Sequence, residues 1–598
     1  MKCKPYTDAQ YDRMPRRLTA ALALAVAVAA NGLLSAVLSA TTLLGGPTAL
    51  SPLTAGLNRL ANGDFEAGAT APWSVGAGWS IDRRTAHTGS RSLRREAGAS
   101  TAKVTLALPA GTYRFSAWVK TQNLGGGARL RFDARLAADR WFATEIAPGT
   151  ANWREYAVSD VVMPEPATVS LSLEADDGTA GTAWFDDVTL EALLPPALET
   201  FLLYPNFRGT LFDDGPPTLT FDVRVTLPPT QLARHTVRGV LREEVSGRVV
   251  VTASYPARGA FVAELDGRRM HTGTTYLATF ALTDAAGAET SASPAYRVAR
   301  AAADARASMW LAVDRRNRIE REGVPRFLLG GDDRRMLGGA ANHADAFEVI
   351  DASMTTAADA FTRYAATRSR APELITLAIT SPLSDLRRWR DVADMVSMDA
   401  HAMFGPEPPA GYDHGAVARA TALSRAAVRD ARPVVGVLPF TPHSALGRWP
   451  TLAEMRAHAY MAIVEGARGL WWSTAAGELC GAACGDAAPH VRHLESVVDE
   501  LARLEPVLLA EDAEALAGNS NPNIKTKVKL VNGKGFVLAY NASGSRQSTT
   551  FTWMTTPETV SVHAENRALV TSGPSFSDTF APFGAHVYVV DAGVGRAS

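Results

Sequence analysis

The chain has 598 residues, 46% of them apolar and 20% charged, with 60 Lys and Arg against 61 Asp and Glu. That length is too great for one hydrophobic core, so three to five domains are expected. A formal net charge of -1 offers no global field for nucleic acid or an anionic membrane, and carries no information about substrate.

Lys2, Lys4, Arg13, Arg16 and Arg17 precede an apolar, Ala-rich segment from Leu18 to Ala40. The pattern is that of a secretory signal, with small residues at Ala27-Val28-Ala29 and Leu38-Ser39-Ala40 for cleavage. The whole segment is also long enough to stay as a membrane anchor. Residues 1–57 are therefore expected to be signal or anchor plus tether, and the remainder to be secreted or held at the cell surface. In that compartment Cys480 and Cys484, in the loop CGAAC, are expected to close a small disulfide ring in preference to standing as free thiols.

Over residues 58–194, short alternating runs such as TAKVTLALPA, TYRFSAWVKT and ATVSLSLEA are separated by Gly, Pro and Asp turns. This predicts a β-sandwich. The order Asn62-Gly63-Asp64-Phe65-Glu66, His87-Thr88-Gly89-Ser90-Arg91, Tyr113 to Val119, Trp153 and Trp184-Phe185-Asp186-Asp187-Val188 resembles the jelly-roll carbohydrate-binding modules of families four and nine. The resemblance implies glycan binding and a structural Ca²⁺ between Glu66 and Asp187, on the first and last strands, where hard oxygen ligands suit that ion. Trp73, Trp79 and Trp141 fall in or near loops and are the expected sugar-stacking residues. Trp118 and Trp184 lie in alternating strands and are expected in the core.

Residues 195–305 carry about seven short strand patterns, among them LTFDVRVTL, VRGVLREEV and YLATFALTD, and predict an immunoglobulin-like sandwich with a spacing role. From 306 to 512 the character changes. Asn317 to Phe327 reads as a β-hairpin, and Phe327 to Gly331 as a strand. Signals then alternate: helix over 345–367, strand over 373–379, helix over 382–393, strand over 395–399 and helix over 412–431. Val434 to Phe440 is an apolar strand. Thr451, three residues before Glu454, has the spacing of a capping box and starts a helix that Gly466 and Gly469 end. Leu470-Trp471-Trp472 is the next strand, so the unit is βαβ with parallel strands. His490 to Leu504 adds a helix. The alternation predicts a shortened (β/α)-barrel in which five or six strands can be placed.

Asp394 to Asp399 with Pro406, Arg448-Trp449-Pro450-Thr451 and Gly466 to Ser473 resemble clan A glycoside hydrolases. Such enzymes use two carboxyl groups on opposite faces of the sugar. The Glu pair that the resemblance implies is missing, since Pro439 to His443 and Leu377 to Pro382 hold no acid. The remaining candidates at strand ends are Asp399, Asp333 and Glu478 for catalysis. Asp332, His401, His443 and Arg448 are candidate sugar contacts. Trp471 and Trp472 alternate, so one faces the barrel interior and the other the helices, and either is a candidate subsite floor. No metal-ligand spacing, nucleotide loop or nucleophile elbow appears in the barrel.

Residues 513–598 predict a final β-sandwich with an Asn532-Gly533 hairpin turn. The leading expectation is a monomeric, exported polysaccharide-binding glycoside hydrolase-like protein. The alternative is a catalytically silent glycan-binding or envelope-structural protein on a degenerate hydrolase barrel.

Overall fold

The computed structural model describes residues 57–96, 100–135, 140–163, 165–176, 179–331, 347–351, 357–380, 386–400, 414–440, 449–473 and 487–591. The N-terminal segment read as a signal or anchor, and Asp332, Asp333, His401, His443, Arg448, Glu478, Cys480 and Cys484, lie outside these residues. The protein is mostly β, built of several stacked sheets with few helices. Among the described residues no helix is long and apolar enough to cross a membrane.

The first sandwich contains β1 (Ser100–Leu108), β2 (Gly111–Leu124), β3 (Ala128–Arg135), β4 (Arg140–Glu145), β5 (Gly149–Met163), β6 (Ala167–Ala175) and β7 (Thr182–Ala192). One sheet runs from the short strand Ser74–Val75 through β1, β6 and β3 to β4. The other runs from Trp79–Asp82 through Ser92–Arg95, β7 and β2 to β5. Alternation sends Leu130 and Phe132 of β3, and Leu171 and Leu173 of β6, into a shared core with Phe115 and Phe185. The intervening residues face outward.

A second sandwich packs Leu198–Tyr204, Thr218–Val225 and Ala260–Asp266 against a larger sheet around Thr236–Glu243 and Thr275–Thr283. Phe221 and Phe280 meet edge to face in its core, 4.8 Å between centroids. The hairpin read at Asn317 to Phe327 is present: Ile319–Arg321 pairs with Val324–Arg326. Its turn residues, Glu322 (φ 50°) and Gly323 (φ 75°), are both left-handed, as a two-residue hairpin turn requires.

The parallel part comprises β8 (Leu328–Gly331), β9 (Phe347–Asp351), α1 (Ala357–Arg370), β10 (Ile375–Thr380), β11 (Met395–Met398), α2 (Ala416–Val428), β12 (Val435–Pro439), α3 (Leu452–Val464), β13 (Gly469–Ser473) and α4 (Ala488–Arg503). Ladders join β9 to β10 to β11, and β12 to β13 to β8. A single bridge from Asp399 to Val437 links the two sets. The strand order is thus β9-β10-β11-β12-β13-β8. Six parallel strands are described, and no ladder among the described residues closes β8 on β9.

The stretch expected to be helical over 345–367 starts instead with β9, and its helix spans Ala357–Arg370. Phe347, Val349 and Ile350 are apolar and β-prone, and pairing beside β10 decides the outcome over local pattern. In the stretch read as helix over 382–393, the described residues 386–393 hold a 3₁₀ turn at Leu386–Trp389 and no α-helix. The β12–α3–β13 unit is as read. In the capping box Glu454 N donates to Thr451 Oγ1 at 3.2 Å, and Thr451 N donates to Glu454 Oε2 at 2.8 Å. Helix α3 lies directly on β12 because Gly436 has no side chain; a Cβ there would stand 2.5 Å from that of Ala462.

The C-terminal strands form two further sheets, one of which leads off with Ile524–Val531 and Lys534–Asn541. These two are joined through Asn532 (φ 51°) and Gly533 (φ 77°), the hairpin turn read from the sequence. Leu538, Tyr540, Ala585 and Val587 share a core with the helices of the parallel part.

Candidate functional site

Two surfaces of the described chain bring chemistry together. The first is the outward face of the β1-β6-β3-β4 sheet. Register aligns three rows across it: Thr101, Glu174, Arg129 and Glu145; then Lys103, Ser172, Arg131 and Ala143; then Thr105, Ser170, Asp133 and Trp141. The rows span about 14 Å, three inter-strand gaps of about 4.8 Å each. Arg131 grips both oxygens of Asp133, with Nε at 2.9 and 3.0 Å and Nη2 at 2.7 Å. Arg129 donates to Glu174 Oε2 at 3.1 Å and to Asp176 Oδ1 at 2.6 Å. Ser170 and Ser172 are only 4% and 2% exposed although they lie on the outer face, because the longer side chains around them wall in a floor of hydroxyls. Charge-assisted pairs hold these planar groups in fixed orientations, which suits a bed that presents donors and acceptors to a polyhydroxylated ligand. Beyond alternation, nothing in the sequence announces this bed, since none of its rows is contiguous.

Of the three tryptophans expected to stack on sugar, Trp73 and Trp79 are 3% and 8% exposed. They belong to the sandwich core, tilted against Phe65 and Phe185, and offer no face to solvent. That corrects the loop-based reading: short strands and turns fold their large apolar rings inward. Trp141 sits on β4 opposite Asp133 in the register, and its side chain lies outside the described residues. Trp184 is buried as expected and donates Nε1–H to Asp82 at 2.8 Å. Trp118, expected in the core, is half-buried on the outer face of the opposite sheet. The His87 ring stacks on it at 3.9 Å, with Trp153 edge-on to His87 at 5.6 Å.

Glu66 and Asp187 both hold the His87–Arg91 loop. Glu66 Oε1 accepts from Ser90 N at 2.6 Å and Arg91 N at 2.7 Å, and its Oε2 accepts from Ser90 Oγ at 2.9 Å. These bonds keep the Glu66 carboxyl below the ordinary Glu range. Asp187 accepts from Thr88 Oγ1 at 2.7 Å and pairs with His87 Nδ1 at 2.7 Å. The set fits Ca²⁺ poorly. That ion takes six to eight oxygens, whereas an imidazole nitrogen stands at Asp187 and the Arg91 guanidinium lies 3.5 Å from Glu66. Among the described residues no group of three or more His, Cys, Asp or Glu is placed to hold a metal ion.

The second surface is the C-terminal end of the parallel strands. Asp399 follows β11, is half-buried, and donates its N–H to Thr380 O at 2.9 Å. Trp471 is 4% exposed and packs with Leu328, Ile375, Met395 and Val435 inside the sheet's curve. Trp472 is 1% exposed and packs on the helix side. The alternation is as read, but two buried rings floor no open subsite. Gly330 and Val437 are the register partners of Trp471 on the two flanking strands.

Asp351, which the sequence reading did not single out, is the last residue of β9, and its side chain lies outside the described residues. With β10 between them, Asp351 and Asp399 end on strands two ladders apart, on the order of 10 Å across the sheet at about 4.8 Å per ladder. An acid ending an apolar run (FEVID) was the available signal. At the rim beside them, Trp449 touches Phe440 at 5.3 Å and stacks on His490 at 5.5 Å between centroids.

No protein-family model matches the chain, and none of the curated proteins matches it. Solved structures that resemble parts of it include carbohydrate-binding modules and glycoside hydrolases. The module TmCBM61, solved with β-1,4-galactotriose, is 21% identical over 23% of this chain and 100% of its own, with a TM-score of 0.20. An Anoxybacillus α-amylase is 9% identical over 41% of this chain and 59% of its own, with a TM-score of 0.30. A GH30 endoxylanase from Clostridium papyrosolvens is 12% identical over 45% of this chain and 67% of its own, with a TM-score of 0.27.

Proposed function

We propose that this is an exported polysaccharide-binding protein that holds glycan on the β1-β6-β3-β4 bed and hydrolyses glycosidic bonds at the strand ends near Asp399. The observation that carries the binding half is the bed itself. Fixed Arg–Asp and Arg–Glu pairs with sunken serines give a flat surface with many oriented donors and acceptors and little net charge. A neutral sugar chain exchanges water for such groups without leaving a charge unpaired.

The hydrolytic half rests on Asp399 and Asp351, which end neighbouring stretches of one parallel sheet on the face where such sheets carry their chemistry. A water-activating pair has its carboxyl groups about 6.5–9.5 Å apart, and a nucleophile–acid pair about 5–5.5 Å. Asp399, half-buried at its strand end, takes the base or nucleophile role, and Asp351 is the partner acid.

Affinity electrophoresis and calorimetry of the full chain against a polysaccharide panel test the binding half. Arg131→Ala is expected to cut affinity for the retained polymer by about tenfold or more, the loss of one charge-assisted contact set. Undiminished binding by Arg131→Ala and Ser172→Val would remove the bed. Reducing-sugar release tests the chemistry: Asp399→Asn and Asp351→Asn are each expected to abolish it, with Asp333→Asn as the comparison. A chain that binds glycan and releases no sugar would instead be the silent binding protein.

A further inference from the structure

A cavity of about 680 Å³ lies where the first sandwich, the second sandwich and the parallel sheet meet, with Thr112, Tyr296 and Arg390 each contributing from one of them. Its described walls carry seven arginines against three carboxylates. Most of these guanidinium groups are accounted for. Arg208 spans Asp394 at 3.0 and 2.8 Å and reaches the carbonyls of Pro372 and Leu374. Arg390 donates to Glu199 and to the carbonyl of Arg387.

Arg432 differs. Its side chain is 9% exposed, and the hydrogen bond it makes runs from Nη1 to the carbonyl of the adjoining Ala431. For Nη2 the nearest carboxylate oxygen is Oδ1 of Asp391, which also lines the cavity, at 4.0 Å and outside hydrogen-bond reach. Arg390, though paired with Glu199, keeps a buried Nη1 that makes no hydrogen bond and stands 3.7 Å from Asp222 Oδ2. The two cations share the ring of Phe201, at 5.0 Å and 4.5 Å from its centroid. Such stacking offsets only part of the cost of taking a guanidinium out of water. Burial accordingly pulls the Arg432 pKa below the ordinary arginine value.

We propose that this cavity is a second ligand site, distinct from the bed, that takes a small organic acid of sugar size, such as a uronate, with its carboxylate on Arg432. The guanidinium donors that Arg432 leaves unused select an anion. The volume selects the class, because it falls in the range of sites for small organic ligands, roughly 300–1,000 Å³, far above what one inorganic ion fills. Phe361, 53% exposed, and Tyr364 both line the cavity, and Phe361 supplies an apolar face for a ring.

The test uses the full chain and measures thermal shift and calorimetric binding with glucuronate and galacturonate. Glucose, sodium sulfate and sodium chloride at matched ionic strength are the controls. At saturating uronate the melting temperature is expected to rise by about 2–5 °C, with no rise from glucose or chloride. Arg432→Gln is expected to abolish the shift. Phe361→Ala, at an exposed side chain, is expected to weaken binding several-fold while leaving the ligand-free melting temperature in place, which separates loss of the site from loss of the fold. A uronate shift no larger than that of chloride, binding of sulfate alone, or a full shift in Arg432→Gln would each overturn the proposal.

Discussion

Removing the carboxylate of Asp394 should loosen the joint between the second sandwich and the parallel sheet more than any other single change there. Its side chain is fully buried and accepts from five donors: Arg208 Nε at 3.0 Å and Nη2 at 2.8 Å, Tyr364 Oη at 2.8 Å, Thr376 N at 3.1 Å and Thr376 Oγ1 at 3.2 Å. Although burial works the other way, these contacts hold the Asp394 carboxyl below the ordinary Asp value of 3.8. Asp394→Asn leaves Arg208 largely buried with its charge unanswered, a loss of about 3–5 kcal/mol. Arg208→Met should cost a similar amount, and the double variant clearly less than the sum. Because the carboxyl pKa is lowered on folding, its contribution is present above the unfolded value near 3.8 and is lost as the pH falls through the folded value. Calorimetric unfolding of the full chain resolves the transition that contains this joint. Costs below about 1 kcal/mol, or strictly additive single variants, would refute the reasoning.

Two further predictions concern the first sandwich. Asp186 is fully buried beside Asp187, and burial pushes its pKa from 3.8 up to about 6. The folded state therefore holds a proton that the unfolded state has released, and this group's contribution falls by about 2–3 kcal/mol as the pH rises from about 4 to above 6. The melting-temperature difference between Asp186→Asn and the parent should move in the variant's favour across that window, on top of a constant loss from the bond that Asp187 N makes to Asp186 Oδ1; a difference that does not change with pH would count against it. The engaged oxygens of Glu66 and Asp187 predict that excess Ca²⁺ or a chelator shifts the melting temperature by less than about 1 °C, whereas a metal saturated at 100 times its Kd would add about 2.7 kcal/mol.

What could be read from the sequence was whatever obeys a local rule. The capping box of Thr451 and Glu454, and the left-handed pairs Glu322-Gly323 and Asn532-Gly533, are fixed by a few adjacent side chains. The β12–α3–β13 unit followed from apolar runs bounded by Pro and Gly. Solvent exposure of a tryptophan has no such rule. Trp73 and Trp79 looked like loop residues and are core, while Trp118 sits in a strand and is half-open, because sheet stacking decides which ring meets water. Asp351 was hidden for a related reason: five residues of β9 carry too short a pattern to outweigh the helical run behind them, and pairing with β10 settles the matter.

The bed carries the same lesson further. Arg129, Arg131 and Asp133 on β3 read as ordinary surface alternation, and Glu174, Ser172 and Ser170 on β6 read the same way more than thirty residues later. Only antiparallel register sets Arg129 against Glu174, Arg131 against Ser172 and Asp133 against Ser170. A one-residue slip of β6 would turn its serines into the core and Leu171 and Leu173 out to solvent, so the register that builds the bed is enforced by the burial of those leucines. Recognition chemistry on one face is thus held in place by hydrophobic packing on the other. Changes at Leu171 or Leu173 should therefore degrade glycan binding through the geometry of residues they never touch, and Leu171→Ala should lower affinity and stability together, whereas Arg131→Ala should lower affinity alone.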